Sequence, residues 1–384
     1  MSTTDPALED LTFNGSRHSG STAFRHIGPN WYAAVMGISI IPSAGIALPH
    51  QFPGALHIWQ LLWLLTFAAF VVLVAARAIH FIFHADQARA HFMDPAMAPF
   101  YACKSIAFLA VGLVTYTVGK TVIGEQAALV IDIVLFVIGT LLGLIVAAGV
   151  MLTMILRHDL KMVGTSPVWL LPAMGPMVSA AFAGPLLAHM DAGANQQLLI
   201  LGLYAMFGLD LLATMIVFPM VLQRLFLHGP LPIQATPALF LGLAPFGQAV
   251  NAVNNLGDAV VRSGLAAPYG DAFAAFALLF GVPVMGFTLL WLAVSLVMVI
   301  RAQMQGMKFS MVWWSFGFPL GTVVTGMEGI TRHTGLAALS WFTVAVYLLL
   351  CFLVGATFLH TVAGLVSGKL LAAPKPAPAI AAVT

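Results

Sequence analysis

Ten apolar stretches, each about 20 residues or longer, follow one another along the chain. Their ranges are 30–48, 56–83, 99–119, 127–155, 167–189, 196–226, 237–257, 271–300, 310–331 and 336–366. A helix needs about 20 apolar residues to cross the hydrocarbon core of a bilayer. The composition agrees, because 61% of the residues are hydrophobic and only 7% are charged, against about 25% charged in soluble domains. We therefore predict an all-α polytopic membrane protein with ten transmembrane helices.

The basic residues are distributed unevenly between the two sides that ten spans define. The side with both termini carries Arg17, Arg25, Arg77, Arg89, Arg157, Lys161, Arg224, Arg301, Lys308, Lys369 and Lys375, and the other side carries Lys120, Arg262 and Arg332. Because cytoplasmic loops are enriched in lysine and arginine, we predict cytoplasmic termini in a plasma (inner) membrane. Residues 1–25 and 371–384 are then a flexible N-terminal tail and a disordered C-terminal tail, and 26–370 is the membrane domain.

Prolines recur in the odd-numbered stretches, at intervals of about 70 residues or twice that. They are Pro42, Pro172, Pro176, Pro245 and Pro319. A proline inside a helix removes a backbone hydrogen bond and kinks the helix. Within a membrane, such a kink is tolerated where protein or water covers the freed carbonyl. We therefore expect five helical hairpins, with the kinked odd-numbered helices as an inner ring around a central pore and the even-numbered helices as an outer ring.

The ninth stretch carries a stripe of residues at helical spacing. Its members are Phe318, Thr322, Thr325, Glu328 and Arg332. One interpretation is a pore-facing stripe with an aromatic ring at mid-depth. The alternative is contact between helices together with a local Glu328–Arg332 ion pair, since most charges inside membranes are paired.

The seventh stretch carries several amides within eight residues. Gln248, Asn251 and Asn255 share one helical face, and Asn254 and Asp258 lie beside it. An amide side chain offers both hydrogen-bond donors and an acceptor. These residues could therefore solvate a permeating anion or form bonds across helices.

Three more charged residues lie within the apolar stretches. Lys104 begins the third stretch, where it would attract an anion at the cytoplasmic mouth or extend to the membrane surface. Asp132 is near the end of the fourth stretch and is expected at the interface. Asp210 lies deeper, in the sixth stretch, and its alternatives are a bond to a neighbouring helix or proton coupling.

No motif of an enzyme is present. The sequence has no Walker-type glycine loop, no HExxH and no arrangement of paired carboxylates. His80 and His84 are four residues apart without a third ligand, so we predict no metal site. Cys103 and Cys351 lie within apolar stretches and indicate no disulfide framework. The sparse charge gives no indication of nucleic-acid binding, and no cofactor is expected.

Four motifs together resemble one known family. They are GPNWYAAVMG at 28–37, WLLP at 169–172 with Pro176, LAPFGQ at 243–248 and WWSFGFPLG at 313–321. The chain resembles the tellurite-resistance/dicarboxylate transporter family, the TehA-like group of slow anion channels, malate permeases and sulfite efflux pumps. The first motif is more similar to the malate and sulfite branch than to the plant channels.

The resemblance implies ten helices in five hairpins around a pore, in a homotrimer with one pore per subunit. It also implies that an aromatic side chain of the ninth helix plugs the pore. We assign this gate to Phe318, with Phe316 as the second candidate. The predicted pore-lining and anion-binding residues are Lys104, Gln248, Asn251, Asn255, Thr322, Thr325, Ser179, Phe246 and Asn30.

The predicted function is transport of small anions through this gated pore, in contact with membrane lipid. C4-dicarboxylates such as malate are the first candidate substrates, by resemblance to the malate branch. The alternatives are a channel or exporter for sulfite, chloride, nitrate or tellurite, and a proton-coupled secondary transporter. The scarcity of lysine and arginine within the membrane favours small or monovalent anions, because a dicarboxylate would need more cationic or donor groups.

Overall fold

The computed structural model describes residues 25–263 and 269–370, and this part of the chain is helical without strands. The predicted terminal tails lie outside the described residues, except for Arg25. The long helices are α1 Pro29–Ala47, α2 Ala55–Phe83, α3 Ala98–Ile123, α4 Glu125–Leu156, α5 Pro167–Ala188, α6 Ala194–His228, α7 Leu243–Ser263, α8 Tyr269–Met304, α9 Gly317–Thr334 and α10 Ala337–Val366. All of them except α7 and α9 are long and apolar enough to cross a membrane, which makes eight candidate spans.

Helices α7 and α9 are the two most polar of the long helices. Each follows a 3₁₀ segment, Ile233–Gly242 before α7 and Met311–Phe316 before α9. Most residues of both helices are buried inside the protein. A helix that other helices surround does not contact lipid, so it can keep amides and charged groups that a lipid-facing helix cannot.

The odd-numbered helices form an inner layer. Helix α1 contacts α3, α3 contacts α5, α5 contacts α7, α7 contacts α9, and α9 returns to α1, so these five close a ring. Each even-numbered helix packs against the outside of this ring. Burial follows the same division. In the apolar 18-residue segment of each helix, 61–89% of the residues are buried in α1, α3 and α5, against 28–33% in the even-numbered helices.

Glycines allow the inner helices to approach closely. A Cβ atom at Gly317 of α9 would lie 2.7 Å from the Cα atom of Gly37 in α1. A Cβ atom at Gly326 would lie 2.9 Å from the carbonyl oxygen of Gly247 in α7. Small residues at such contacts are typical of helices that pack within membranes, because the gain comes from close van der Waals contact.

The prolines only partly match their predicted role as kinks. Pro42 and Pro176 lie inside helices, as expected. Pro172, however, is the second residue of the α-helix Leu171–Phe182, and Pro245 and Pro319 are the third residues of α7 and α9. The prediction of mid-helix kinks at these three positions is wrong. They mark the change from 3₁₀ to α-helix, where the first N–H groups of the α-helix lack α-helical partners and proline costs little.

Candidate functional site

A cavity of about 390 Å³ lies between the C-terminal ends of the five inner helices. Every inner helix contributes to its wall, for example through Ser43 of α1, Thr117 of α3, Phe182 of α5, Asn251 of α7 and Thr325 of α9. The cavity is therefore surrounded by all five helices of the ring.

Charged side chains form a network at the wide end of the cavity. The guanidinium of Arg332 in α9 lies 3.0 Å from a carboxylate oxygen of Asp258 in α7 and 3.2 Å from one of Glu328. His333 lies 2.8 Å from Asp258 and 2.7 Å from the side-chain oxygen of Asn254. The predicted Glu328–Arg332 pair is therefore present, but it is part of a larger network that joins α7 to α9.

The amides of α7 combine the two roles that the sequence left open. The Asn255 side chain donates to the carbonyl of Ala181 in α5 at 2.9 Å and to the side-chain oxygen of Asn251 at 3.1 Å. Asn251 and Asn255 also line the cavity. The same side chains thus connect two inner helices and provide polar groups to the space between them.

Below the cavity, two phenylalanine rings meet. Phe318 of α9 is fully buried, and its ring centroid is 6.3 Å from that of Phe182 in an edge-to-face arrangement. Helices α5 and α9 are not neighbours in the ring. A contact between their side chains therefore crosses the middle of the ring at the buried end of the cavity, which Phe182 lines and which we name the narrow end.

Gln248, which we predicted to line the pore, does not line the cavity and lies about one helical turn before Asn251, which does. It precedes Asn251 by three residues and Asn255 by seven on α7, so all three lie on the same side of the helix. Its side chain is fully buried, and among the described residues no protein group bonds to its amide nitrogen or oxygen. The three amides thus form a row along one side of α7, and Gln248 is the one farthest from the wide end of the cavity.

Several predicted lining residues are instead contacts between helices. The Thr322 hydroxyl donates to the carbonyl of Pro319 at 2.7 Å and lies against Gly247 of α7. Ser179 accepts a hydrogen bond from Thr140 of α4 at 2.9 Å. Neither hydroxyl lines the cavity. Of the ninth-helix stripe, Thr325, Glu328 and Arg332 do line it.

Two predicted aromatic residues also point away from the cavity. Phe246 packs edge-on against Phe218 of α6 and Phe287 of α8, with centroid distances of 5.0 and 5.1 Å. Phe316 packs against Phe240 at 4.8 Å in the 3₁₀ segments before α7 and α9. Phe318 is therefore the candidate gate residue that contacts a ring across the centre, and Phe316 is not.

Lys104 and Asn30 lie at the opposite end of the inner ring from the cavity. Asn30 is in the first turn of α1, and Lys104 is in the second turn of α3. The helical face that Lys104 shares with Phe108 and Thr115 is turned toward α2, because Phe108 packs on Phe70 of that helix. A role for Lys104 at the cytoplasmic mouth stays a prediction.

Two buried aspartates lie on outer helices. Asp132 of α4 is buried beside Gly112 of α3, in the second turn of its helix, and its position at the membrane interface stays a prediction. Asp210 of α6 is fully buried, and no described protein group bonds to either of its oxygens. The expected bond from Asp210 to a neighbouring helix is therefore absent from the described residues.

Phe182 is the main site residue that the sequence did not predict. It ends the α-helix Leu171–Phe182, directly before the short helix Gly184–Ala188. The sequence does contain a local indication of Phe182, since it is an aromatic residue among mostly small neighbours at the end of a helix. Its pairing with Phe318 requires two helices that are far apart in sequence, which no local pattern shows.

Comparison with known proteins identifies the family. The model of the family described as voltage-dependent anion channel matches residues 26–362. A sulfite efflux pump of Trichophyton rubrum is 26% identical over 323 residues, which cover 83% of this chain and 85% of that protein. A sulfite efflux pump of Arthroderma benhamiae is 25% identical over the same shares.

A third relative is an uncharacterized transporter of Methanocaldococcus jannaschii, 22% identical over 89% of this chain and 94% of its own length. These matches confirm the resemblance that the four motifs indicate, and they extend over nearly all the apolar helices. The chain is therefore a multi-pass membrane protein of the voltage-dependent anion channel family, a family of anion channels and transporters.

Proposed function

We propose that small anions cross the membrane through the centre of the inner ring and that Phe318 gates their passage. The observation that carries this proposal is the contact between Phe318 and Phe182, which crosses the ring at the narrow end of a cavity whose wall includes amide and charged groups. A ring that fills a narrow apolar neck excludes both the anion and the water that would hydrate it. Passage then requires Phe318 to change rotamer or α9 to shift.

The proposed pore needs ten spans, with α7 and α9 crossing the membrane inside the others. Their burial and their contacts with both neighbouring inner helices support this arrangement. The bias of basic residues supports cytoplasmic termini in a plasma (inner) membrane. With that orientation the cavity, which lies at the C-terminal ends of the odd-numbered helices, opens to the outside. A homotrimer with one pore per subunit is part of the same proposal.

For the substrate, we place sulfite before C4-dicarboxylates such as malate. Two of the relatives described above are named sulfite efflux pumps, which favours the inorganic anions that the sequence left as an alternative. The cavity wall carries two arginines, of which Arg332 is bound by Asp258 and Glu328, so only Arg262 has no described ion pair. A divalent dicarboxylate would need more cationic partners than a small oxyanion. The volume of about 390 Å³ admits either.

Proton-coupled transport is the second candidate mechanism. The observation that favours it is Asp210, a fully buried carboxyl without a described partner. An ionisable group in such a place is a candidate proton carrier. Flux that follows a pH gradient and is lost in Asp210→Asn would establish coupling. Flux that is equal with and without the gradient, in both proteins, would establish a passive pore.

The gate is tested by anion flux in vesicles that contain the purified protein. We expect Phe318→Ala to raise the flux of sulfite by about tenfold or more, because it removes the ring that closes the neck. Phe246→Ala is the matched control, since it removes the same side chain from an inner helix on the side that faces α6 and α8. An equal rise in both variants, or no rise in Phe318→Ala when the protein remains folded, would contradict the proposed gate.

A further inference from the structure

The Gln248 amide is a buried polar group for which the described protein provides no partner. Its side chain has no exposed surface, and both its nitrogen and its oxygen are unpaired. Burial of an unpaired amide destabilises a protein, because the group loses its hydrogen bonds to water. Other buried polar groups without described partners, such as those of Asp210 and Thr214, lie on the outer helix α6. Gln248 lies on the inner ring, as does Tyr32 of α1, whose hydroxyl also has no described partner.

The other sides of α7 near Gln248 are occupied by neighbouring helices. Gly247 lies against Thr322 of α9, and Phe246 packs on Phe218 of α6. The side that carries Gln248 continues to Asn251 and Asn255, whose side chains line the cavity. Gln248 itself does not line the cavity, but it lies one turn of α7 before Asn251, on the side of the helix where we place the route from the cavity to the neck.

We propose that Gln248 binds the permeating anion in this region, and that it favours an oxyanion that carries a proton, such as hydrogensulfite, over anions that only accept hydrogen bonds. This inference rests on the proposed function, since it names the form of the substrate at the same site. It assigns to Gln248 a selective contact with the anion that is distinct from the gate.

The preference follows from the hydrogen-bonding groups of an amide. The nitrogen donates and the oxygen only accepts. Nitrate or chloride accepts from the nitrogen but leaves the oxygen unpaired. A protonated oxyanion accepts from the nitrogen and donates its own O–H to the oxygen, so both groups are satisfied. Protonation also removes one negative charge, which lowers the cost of leaving water. A dicarboxylate that carries one proton has the same chemistry.

The experiment uses Phe318→Ala as the background, because an open neck makes the selectivity measurable. The flux is measured in vesicles at slightly acidic pH, with Gln248→Met added to this background. We expect the ratio of sulfite-species flux to nitrate flux to fall about tenfold, because a hydrogen bond to a charged ligand is lost. Methionine preserves the length of the side chain and removes both polar groups. Gln60→Met, which changes an amide of the outer helix α2, is the control and should leave the ratio unchanged.

A binding measurement separates this inference from the proposed gate. Ligands that bind the folded protein raise its melting temperature, so hydrogensulfite should stabilise the wild-type protein more than nitrate does, and Gln248→Met should abolish the difference. If hydrogensulfite shows this selective stabilisation but Phe318→Ala carries no anion flux, the proposed gate is contradicted and the Gln248 site is retained. An unchanged flux ratio, or equal stabilisation by both anions in the wild-type protein, would overturn the inference.

Discussion

The two ends of the proposed pathway differ in how their side chains are held. At the wide end, Arg332 and Asp258 are partly exposed and join α7 to α9 through ion pairs. At the narrow end, Phe318 and Gly317 are buried in close contacts without charge. Exposed ion pairs are weak and sensitive to salt, whereas close packing is not. The wide end is therefore suited to admit anions, and the narrow end to exclude them.

The largest expected effect comes from filling the close contact beside the gate. Gly317→Ala places a methyl group 2.7 Å from the Cα atom of Gly37, so α9 must move away from α1, which costs about 1–3 kcal/mol. Gly184→Ala, at the cavity wall, meets no atom within 4 Å and should be nearly neutral. The melting temperatures of the two variants in detergent test this prediction. An equal decrease in both would show that the narrow end is not more tightly packed than the cavity wall.

The second prediction concerns the two rings that meet in the neck. We expect Phe182→Ala to raise anion flux less than Phe318→Ala does, because Phe318 is the more fully buried of the two. The double variant should show little more flux than Phe318→Ala alone, since groups in direct contact are not additive. Fluxes that multiply in the double variant would indicate that the two rings close separate parts of the pathway.

A smaller effect is expected at the wide end. Arg332→Gln leaves the carboxylates of Asp258 and Glu328 without the arginine that bridges them. The cavity becomes more negative, so the rate of anion entry should fall. We expect a decrease of about two- to fivefold, because a partly exposed ion pair contributes about 1 kcal/mol or less. The decrease should shrink at high salt. Glu328→Gln is the control, because it removes a negative charge from the same cavity and should raise anion entry. A decrease of anion entry in both variants would contradict an electrostatic cause.

The smallest predicted effect concerns the short, largely exposed helix Ala85–Met93, which lies between α2 and α3 in the chain. Burial, with the nearby positive charge of Arg77, lowers the pKa of His91 to about 4. The folded protein then binds this proton less readily than the unfolded chain, so stability is lost as pH falls from about 6.5 toward 4. The loss should be about 1 kcal/mol or less, because His91 is only half-buried. Melting temperatures of the wild-type protein and His91→Gln across this range test it.

Sequence patterns located the elements of the site better than its individual side chains. The face of α7 with Asn251 and Asn255 and the Glu328–Arg332 pair follow from helical spacing, which depends on one helix alone. Thr322, Ser179 and Phe246 have the same local character, yet they bond or pack between helices. Which side of a buried helix faces the centre depends on its rotation against its neighbours, and periodicity does not specify it.

The sequence by itself determined the membrane class, the helical content and the family, because apolar length and short motifs are properties of contiguous residues. The tertiary structure alone decided that Phe318 meets Phe182 and that Gln248 has no hydrogen-bond partner among the described residues. These facts depend on helices distant in the chain but adjacent or opposite in the ring. The physical reason is that a side chain inside a helical ring can reach either a neighbour or the centre, and only packing selects between them.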